Sequence, residues 1–298
     1  MSADHFRTPL IRLAEDIFVK CDFLHPGRSH KARVARALID DAEARHGLST
    51  GQGRVLLERT GGNLGVALAI EAYSRGYPLT LVTDPQSSPV KRGLAAALGA
   101  TVINRGVAYP QARDNGEVVA ELLAEPGTPF HYLNQFANPA NPRVHEEVTG
   151  PEILADLVTS GCTRDSTVVL VTGLGTGASM RGISTALRTW FTRVVTVAVE
   201  PPGCDLRAGR YDDHEAYGIA VGEPAPFMPI ELVDAVVPVT SAQIAAARDR
   251  LLRERGLLVG PSSAANMAAL PSARAHPAGP DEPRIFVTLL FDRGEDYL

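Results

Sequence analysis

Strand and helix patterns alternate along two stretches of the chain, and in each stretch a glycine-rich loop joins a strand directly to a helix. Between residues 17 and 133, short apolar runs of strand type are separated by helical patterns, and the same order returns between 167 and 290. Strands separated by helices form parallel sheets with crossover connections. We therefore predict an α/β fold of two three-layer α/β/α domains with mostly parallel sheets.

The turn-rich segment 138–142 is the candidate crossing between the two domains. The net charge is −5 and the basic residues are dispersed, which gives no reason to expect nucleic acid or a membrane as partner. Neither a signal peptide nor an apolar run of membrane-spanning length is visible. Cys21, Cys162 and Cys204 lack a CxxC spacing, which argues against disulfides and structural zinc. We expect a cytoplasmic protein with reduced thiols and no metal site.

One lysine follows a glycine turn at the start of a predicted helix. Ser29 is a suitable N-cap, Lys31 opens the helix and Gly47 ends it. The positive end of a helix disfavours a charged amine, and a neutral amine can attack an aldehyde. The chain has two other lysines, Lys20 and Lys91, and both fit solvated surface charges. Lys31 is therefore the candidate Schiff-base lysine; the alternative is an ordinary surface lysine at a helix start.

The loop that follows the strand pattern at 167–171 has three interpretations. Its Gly-x-Gly-x-x-Ala pattern at 173–178 matches a dinucleotide-binding fingerprint, with Glu200 about 20 residues on as the ribose-binding acid. That interpretation favours a dehydrogenase using NAD. The backbone N–H groups and hydroxyls of 175–179 can instead hold a monophosphate ester. The third interpretation is a tight strand–helix turn without a ligand.

Other polar loops carry weaker signals. The loop 60–65 presents a hydroxyl, bare N–H groups and an amide at a helix start, which suits a carboxylate; the alternative is an ordinary N-cap at Asn63. The serines at 262–263 are by themselves N-cap material. His145 lacks metal-ligand spacing and fits a surface position. A hydrolase elbow fails because Arg181 stands where GxSxG requires glycine.

Six short motifs stand in the chain in this order: TPL at 8–10, HPGRSHKAR at 25–33, TGGNLG at 60–65, QFANPANP at 135–142, GTGAS at 175–179 and GPSS at 260–263. In order and approximate spacing they resemble the cysteine synthase family, the pyridoxal-phosphate enzymes of the tryptophan-synthase-β fold. The similarity covers nearly the whole chain. Each motif is weak by itself, whereas the set is specific.

The resemblance implies pyridoxal 5'-phosphate in a cleft between two domains, an amino-acid substrate and a homodimer. It implies a larger phosphate-binding domain of 1–34 with 139–298, and a smaller mobile substrate domain of 35–138. Lys31 would carry the cofactor and exchange protons at the substrate α-carbon. The implied cofactor-binding residues are Lys31, Asn63, Gly175, Thr176, Gly177, Ala178, Ser179 and Ser262. The implied substrate-binding residues are Thr60, Gly61, Gly62, Asn63, Gln135 and Gly218.

The implied reaction is β-replacement on an O-activated L-serine, such as O-acetylserine, through an aminoacrylate intermediate. The product is cysteine or another β-substituted alanine. A hydroxyl from Ser262 at the pyridine nitrogen fits this chemistry, because it leaves the ring a weaker electron sink than a carboxylate would. The alternatives are a serine/threonine dehydratase and an NAD-dependent dehydrogenase. A catalytically altered partner subunit is a further alternative, because Ala32 follows the lysine where aspartate is common.

The loop at 60–65 departs from the family pattern at two positions. Gly61 replaces a usual serine and Leu64 a usual threonine. We expect the change at 61 to open space beside the substrate and Leu64 to make the loop less polar, which disfavours sulfide as the nucleophile. The segments at 62–65, 83–85 and 292–294 resemble the branch that makes diaminopropionate-type amino acids. Members of that branch join an amine to an activated serine in specialised-metabolite pathways.

Overall fold

The computed structural model describes residues 6–275 and 284–298. The chain divides into two compact units, Met1–His25 with Pro142–Leu298 (the large unit) and Pro26–Asn141 (the small unit). The chain crosses between units at 25/26 and 141/142, whereas the sequence predicts 34/35 and 138/139. The earlier first crossing follows from α1, defined below, which packs against the next helix of the small unit. Lys31 therefore lies in the small unit.

Ten strands and ten α-helices are found in the described ranges. The strands are β1 (Leu10–Ala14), β2 (Ile17–Cys21), β3 (Val55–Arg59), β4 (Leu79–Thr83), β5 (Thr101–Asn104), β6 (Phe130–Tyr132), β7 (Thr167–Gly173), β8 (Arg193–Glu200), β9 (Ala235–Pro238) and β10 (Arg284–Leu290). The helices are α1 (Lys31–His46), α2 (Asn63–Arg75), α3 (Pro89–Ala97), α4 (Arg105–Ala108), α5 (Asn115–Ala124), α6 (Ala140–Val144), α7 (Gly150–Thr159), α8 (Ala178–Arg188), α9 (Ser241–Arg255) and α10 (Pro261–Ala275). None of these helices combines the length and apolarity that crossing a bilayer requires.

The small unit is built on a four-stranded sheet in the order β5-β4-β3-β6, in which every neighbouring pair is parallel. Leu57 and Val82 face α5 and form an apolar cluster with it. Side chains alternate across a strand, so Leu81 faces the other way, where it contacts Gly65 of α2. Helices on both faces of a parallel sheet give the three-layer arrangement that the sequence predicts.

The large unit is built on a six-stranded sheet in the order β1-β2-β10-β7-β8-β9. Only the pair β1–β2 is antiparallel, and the remaining pairs are parallel. All seven residues of β7 are buried, as expected for a central strand covered on both faces. Helices α8 and α10 pack on the sheet, with α7 against α8 and α9 against α10.

The structure confirms the alternating pattern and corrects some of its details. Strand β1, which pairs with β2 through a hairpin, was not predicted. Helix α9 is capped by Thr240, which forms a capping box with Gln243. The predicted stop of α1 at Gly47 is confirmed, since this residue adopts a left-handed backbone conformation (φ 60°), and α2 ends in the same way at Gly76 (φ 79°).

Candidate functional site

The small unit places Lys31 at the first position of α1. His30 immediately precedes the helix and provides no side-chain cap. Ser29, the predicted cap, acts one residue further back, where its Oγ accepts a hydrogen bond from the backbone N–H of Lys31 at 3.3 Å. A local hydrogen bond thus fixes the backbone of the lysine at the helix start in place of a standard cap.

Lys31, which is partly buried, lies close enough to Glu58 in β3 for the charges of the two side chains to interact. Burial lowers the pKa of Lys31 from 10.5 to about 8, and the negative charge of Glu58 opposes that decrease. Burial also raises the pKa of Glu58 from 4.5 to about 8. The sequence argument attributed a reactive lysine to the positive helix end; the structure assigns the lower pKa to burial first. Near neutral pH both groups are poised to exchange protons.

The loop 60–65 joins β3 to α2 beside Glu58. Its entry is fixed by the Thr60 N–H, which donates to the Val82 carbonyl at 2.9 Å. The Thr60 hydroxyl accepts from the Gly62 N–H at 3.4 Å, so the loop folds back on itself before α2 begins at Asn63. Backbone N–H groups at the start of a helix are suited to an anionic ligand, as the sequence predicts.

Gln135 joins this group from the segment after β6. Its backbone N–H donates to Glu58 Oε2 at 3.2 Å, and its side-chain Nε2 donates to the Arg59 carbonyl at 3.3 Å. The Asn141 amide in turn donates to the Gln135 carbonyl at 2.8 Å. Arg59 lies over the Phe136 ring, 4.3 Å from its centroid. The small unit therefore brings Gln135 and the loop 60–65 to one edge of its sheet.

Gly61 does not open the predicted space. A Cβ on this residue would overlap the Oγ and Cβ of Ser87, which occupies the position of a side chain at 61. Leu64 is 2% exposed and packs inward rather than lining the loop surface. The expectation of open space at Gly61 was therefore wrong, and the buried Leu64 adds no apolar surface beside a nucleophile.

The large unit forms a tight loop between β7 and α8. Gly177 has a left-handed backbone (φ 78°), and a Cβ there would approach Met228 to 2.7 Å. A Cβ on Gly175 would lie 2.5 Å from the carbonyl oxygen of Gly218, so only glycine lets the segment around Gly218 approach the loop. The buried Asn266 anchors the start of the loop by accepting from the Gly173 N–H at 2.8 Å.

This loop fits a phosphate group. Within the described ranges, the backbone N–H groups of Gly175 and Gly177 hydrogen-bond no other residue. The carbonyls of Leu174 and Thr176 are instead turned to the N–H groups of Ala220 and Phe227 at 2.7 and 3.1 Å. Carbonyls paired on one side leave N–H groups available on the other, which is the arrangement of an anion-binding loop.

The two serines at the start of α10 differ in their use. The Ser263 Oγ accepts from the Phe291 N–H at 2.8 Å and ties the helix to the end of β10. The Ser262 hydroxyl is buried, and no residue in the part of the chain that the structure describes hydrogen-bonds to it. Ser262 is thus available to a ligand, whereas Ser263 has a structural role.

Three surface assignments from the sequence are wrong. Lys20 is 0% exposed and its Nζ donates to Glu152 Oε2 and to the Thr8 carbonyl, each at 2.6 Å. Lys91 is 5% exposed. His145 is buried in a π-helical turn, with Nδ1 3.0 Å from the Thr149 hydroxyl.

The structure also places the side chains on which the dinucleotide, disulfide and metal predictions depend. Glu200, the predicted ribose-binding acid, instead accepts from the Leu206 N–H at 2.6 Å. The three cysteines are free. Among residues 6–275 and 284–298, no group of three or more His, Cys, Asp or Glu side chains is placed to hold a metal ion.

Glu58 and Ser87 were not predicted from the sequence. An acid within the apolar strand pattern of β3 was the available signal for Glu58, because buried acids are rare unless paired. Ser87 lies in the connection between β4 and α3, and its local sequence carries no comparable signal.

Comparisons with known proteins cover nearly the whole chain. Residues 1–290 match the protein family described as pyridoxal-phosphate dependent enzyme. Cysteine synthase A of Salmonella typhi is 35% identical over 279 residues, which cover 88% of this chain and 82% of that protein.

Two solved structures have the same fold over 98% of this chain. The crystal structure of an O-ureido-L-serine synthase has a TM-score of 0.84 at 32% identity and is covered over 90% of its length. The O-acetylserine dependent cystathionine beta-synthase from Helicobacter pylori has a TM-score of 0.84 at 27% identity and is covered over 94%.

Proposed function

Because the chain belongs to the family of pyridoxal-phosphate dependent enzymes and is similar to cysteine synthases, we propose that it catalyses β-replacement on an O-activated L-serine. Pyridoxal 5'-phosphate is the cofactor, which sets aside the dehydrogenase interpretation of the 173–178 loop. The product is cysteine or another β-substituted alanine. The names of the cystathionine and O-ureido-L-serine synthases support this reaction class and O-acetylserine as a donor.

The observation that carries the proposal is the different state of the three lysines. Lys20 is held in an ion pair with Glu152 and is 0% exposed. Lys91 lies buried in α3. Lys31 has a pKa lowered to about 8, so a useful fraction of its amine is neutral near physiological pH. We assign the covalent attachment of the cofactor to Lys31.

The remaining roles are those that the family resemblance implies. The loop 175–179 would hold the cofactor phosphate with backbone N–H groups, and Asn63 would contact the cofactor ring hydroxyl. The Ser262 hydroxyl would face the pyridine nitrogen. Loop 60–63, together with Gln135 and Gly218, would hold the amino-acid substrate. When bound, the cofactor supplies an electron sink for bond breaking at the substrate α-carbon.

Lys31 would also move the proton at the substrate α-carbon. A general base works best when its pKa lies near the working pH, and a value of about 8 meets that condition. Glu58, whose own pKa is raised to about 8, would be largely neutral at pH 7 and would leave the lysine free to lose its proton.

The identity of the nucleophile is tested by supplying one enzyme preparation with different candidate nucleophiles. Because Gly61 opens no space and Leu64 is buried, neither residue favours small amines over sulfide, and both classes of nucleophile are tested. An amine acceptor would place the protein in a specialised-metabolite pathway. A preparation that gives mainly pyruvate from O-acetylserine, whatever acceptor is present, would favour the dehydratase alternative.

The variant Lys31→Ala tests the assignment of the lysine. We expect the purified wild type to be coloured, and borohydride to add the mass of the reduced cofactor to the peptide containing Lys31. Lys31→Ala should lose that adduct and at least about a thousandfold in turnover, because the variant has no amine at position 31 to bind the cofactor or to move the α-proton. Lys31→Arg, which keeps the positive charge, should be equally inactive. An adduct on Lys20 or Lys91 would contradict the assignment.

Finer features remain proposals. We expect a homodimer in the cytoplasm and a small unit that moves on substrate binding. The homodimer is checked by light scattering of the purified enzyme, and movement by hydrogen exchange with and without an amino-acid ligand.

A further inference from the structure

The Ser87 side chain replaces a missing side chain of the substrate loop. Gly61 stands in the middle of loop 60–65, and a Cβ on it would overlap both Oγ and Cβ of Ser87. The next atom from that position is the Cβ of Thr83 at 3.4 Å, an ordinary contact. The region that a side chain at 61 would fill is thus filled by a hydroxymethyl group from another connection of the sheet.

The turn that carries Ser87 is held in place. The Ser87 N–H donates to the Asp84 carbonyl at 3.0 Å and closes the turn. The Asp84 carboxylate accepts from Asn115 Nδ2 at 2.9 Å and pairs with Arg105 at 3.2 Å. Arg92 donates to the Asp84 carbonyl at 3.3 Å. A turn fixed by several groups presents its hydroxyl in a defined position, which is what a binding residue needs.

The Ser87 hydroxyl has no protein partner in the ranges that the structure describes. The neighbouring Ser88 is different, because its Oγ accepts from the Lys91 N–H at 3.4 Å and caps α3. Ser87 is only partly buried, so ligand or solvent can reach it. The two adjacent serines therefore separate into one structural cap and one available donor.

We propose that Ser87 is a substrate-binding residue, whose hydroxyl donates a hydrogen bond to the carboxylate of the amino-acid substrate at loop 60–63. The inference rests on the proposed function of that loop. It also makes Gly61 and Ser87 a matched pair, because a side chain at 61 and the Ser87 side chain cannot occupy the same space.

The test compares four variants of the cofactor-loaded enzyme, with O-acetylserine titrated against the cofactor absorbance and in steady-state turnover. Ser87→Ala should raise the half-saturating O-acetylserine concentration and KM by about 10- to 100-fold, the effect of losing one hydrogen bond to a charged group. The kcat should change much less, because the bond is made equally in the ground and transition states. Ser88→Ala is the matched control: it should lower Tm and leave KM within about twofold.

The exchange of side chains tests the pair directly. Gly61→Ser alone should weaken O-acetylserine binding at least tenfold, because its hydroxymethyl group meets Ser87. The double variant Gly61→Ser/Ser87→Gly should recover most of that loss, since it returns one hydroxyl to the same space. A double variant no better than Gly61→Ser would overturn the pairing.

The outcomes separate this inference from the proposed function. A wild type that responds to O-acetylserine, together with an unchanged KM in Ser87→Ala, would overturn the role of Ser87 and leave the proposed function intact. A wild type whose absorbance and turnover respond to no O-activated serine would overturn both. A KM that rises equally in Ser87→Ala and Ser88→Ala would show a structural effect of the turn and would also overturn the inference.

Discussion

Replacing Glu58 by glutamine should change how the stability of the cofactor-free protein depends on pH. The pKa of Glu58 rises from 4.5 to about 8 because the carboxyl is 0% exposed in β3. Between those pH values the unfolded chain has released a proton that the folded chain retains. The folded state binds more protons, so the free energy of unfolding falls as pH increases through this window.

The magnitude follows from the width of the window. Each pH unit removes about 1.4 kcal/mol, so the wild type loses about 5 kcal/mol between pH 4.5 and 8 from this group. Glu58→Gln carries no such proton and should lack this loss. Because the Glu58 carboxylate accepts from the Arg59 and Gln135 N–H groups, the amide loses one acceptor, a constant cost of about 1–3 kcal/mol.

Urea unfolding of the cofactor-free wild type and Glu58→Gln at pH 5, 6.5 and 8 measures the effect. We expect the variant to be the less stable protein at pH 5 and the more stable one at pH 8, so that the two curves cross. The exposed Glu147→Gln is the control and should run parallel to the wild type. Parallel curves for Glu58→Gln as well would refute the conclusion that burial holds this carboxyl neutral.

Two further predictions concern the large unit. Lys20→Met should cost about 3–5 kcal/mol of unfolding free energy by removing the ammonium that pairs with Glu152, while Lys20→Met/Glu152→Leu should recover most of that loss. Urea midpoints measure both variants, and equal losses would contradict a buried ion pair. Gly177→Ala should weaken cofactor retention at least tenfold, because alanine is strained at φ 78° and would approach Met228 to 2.7 Å. Dialysis followed by absorbance measures retention, and unchanged retention would argue against loop 175–179 as the phosphate site.

The alternation of strands and helices was predictable because each strand and each helix depends on its local sequence. The glycines at 47 and 76 end α1 and α2 where they stand, and the apolar run of β7 suits a strand buried on both faces. Strand β1 was not predicted because none of its residues is fully buried, so its sequence lacks a clear apolar pattern. It pairs with β2, the next strand in the chain, through a hairpin. Periodicity is weakest where a strand covers an edge of the sheet.

The burial of the lysines was not predictable because it depends on distant partners. Lys20 lies in β2, between β1 and β10, and its neutralising carboxylate comes from Glu152 in α7. A lysine in a strand of mixed character is more often solvated than paired. Lys31 could be proposed from the sequence because the chemistry of its motif is local, whereas the charge interaction with Glu58 depends on residues that are distant in the chain.

Gly61 and Leu64 show why the polarity of a binding loop cannot be read from its amino-acid sequence alone. The glycine adds no open space, because Ser87 fills it, and the leucine adds no apolar surface, because its side chain is buried. The loop then presents backbone N–H groups, the Thr60 hydroxyl and the Asn63 amide, and we propose that the Ser87 hydroxyl from a different connection joins them. Donors of this kind recognise a carboxylate, which every α-amino acid carries, and do not discriminate between incoming nucleophiles. Selectivity for sulfide or an amine must therefore be sought in side chains outside loop 60–65, and variants within that loop should change substrate affinity without changing the preferred nucleophile.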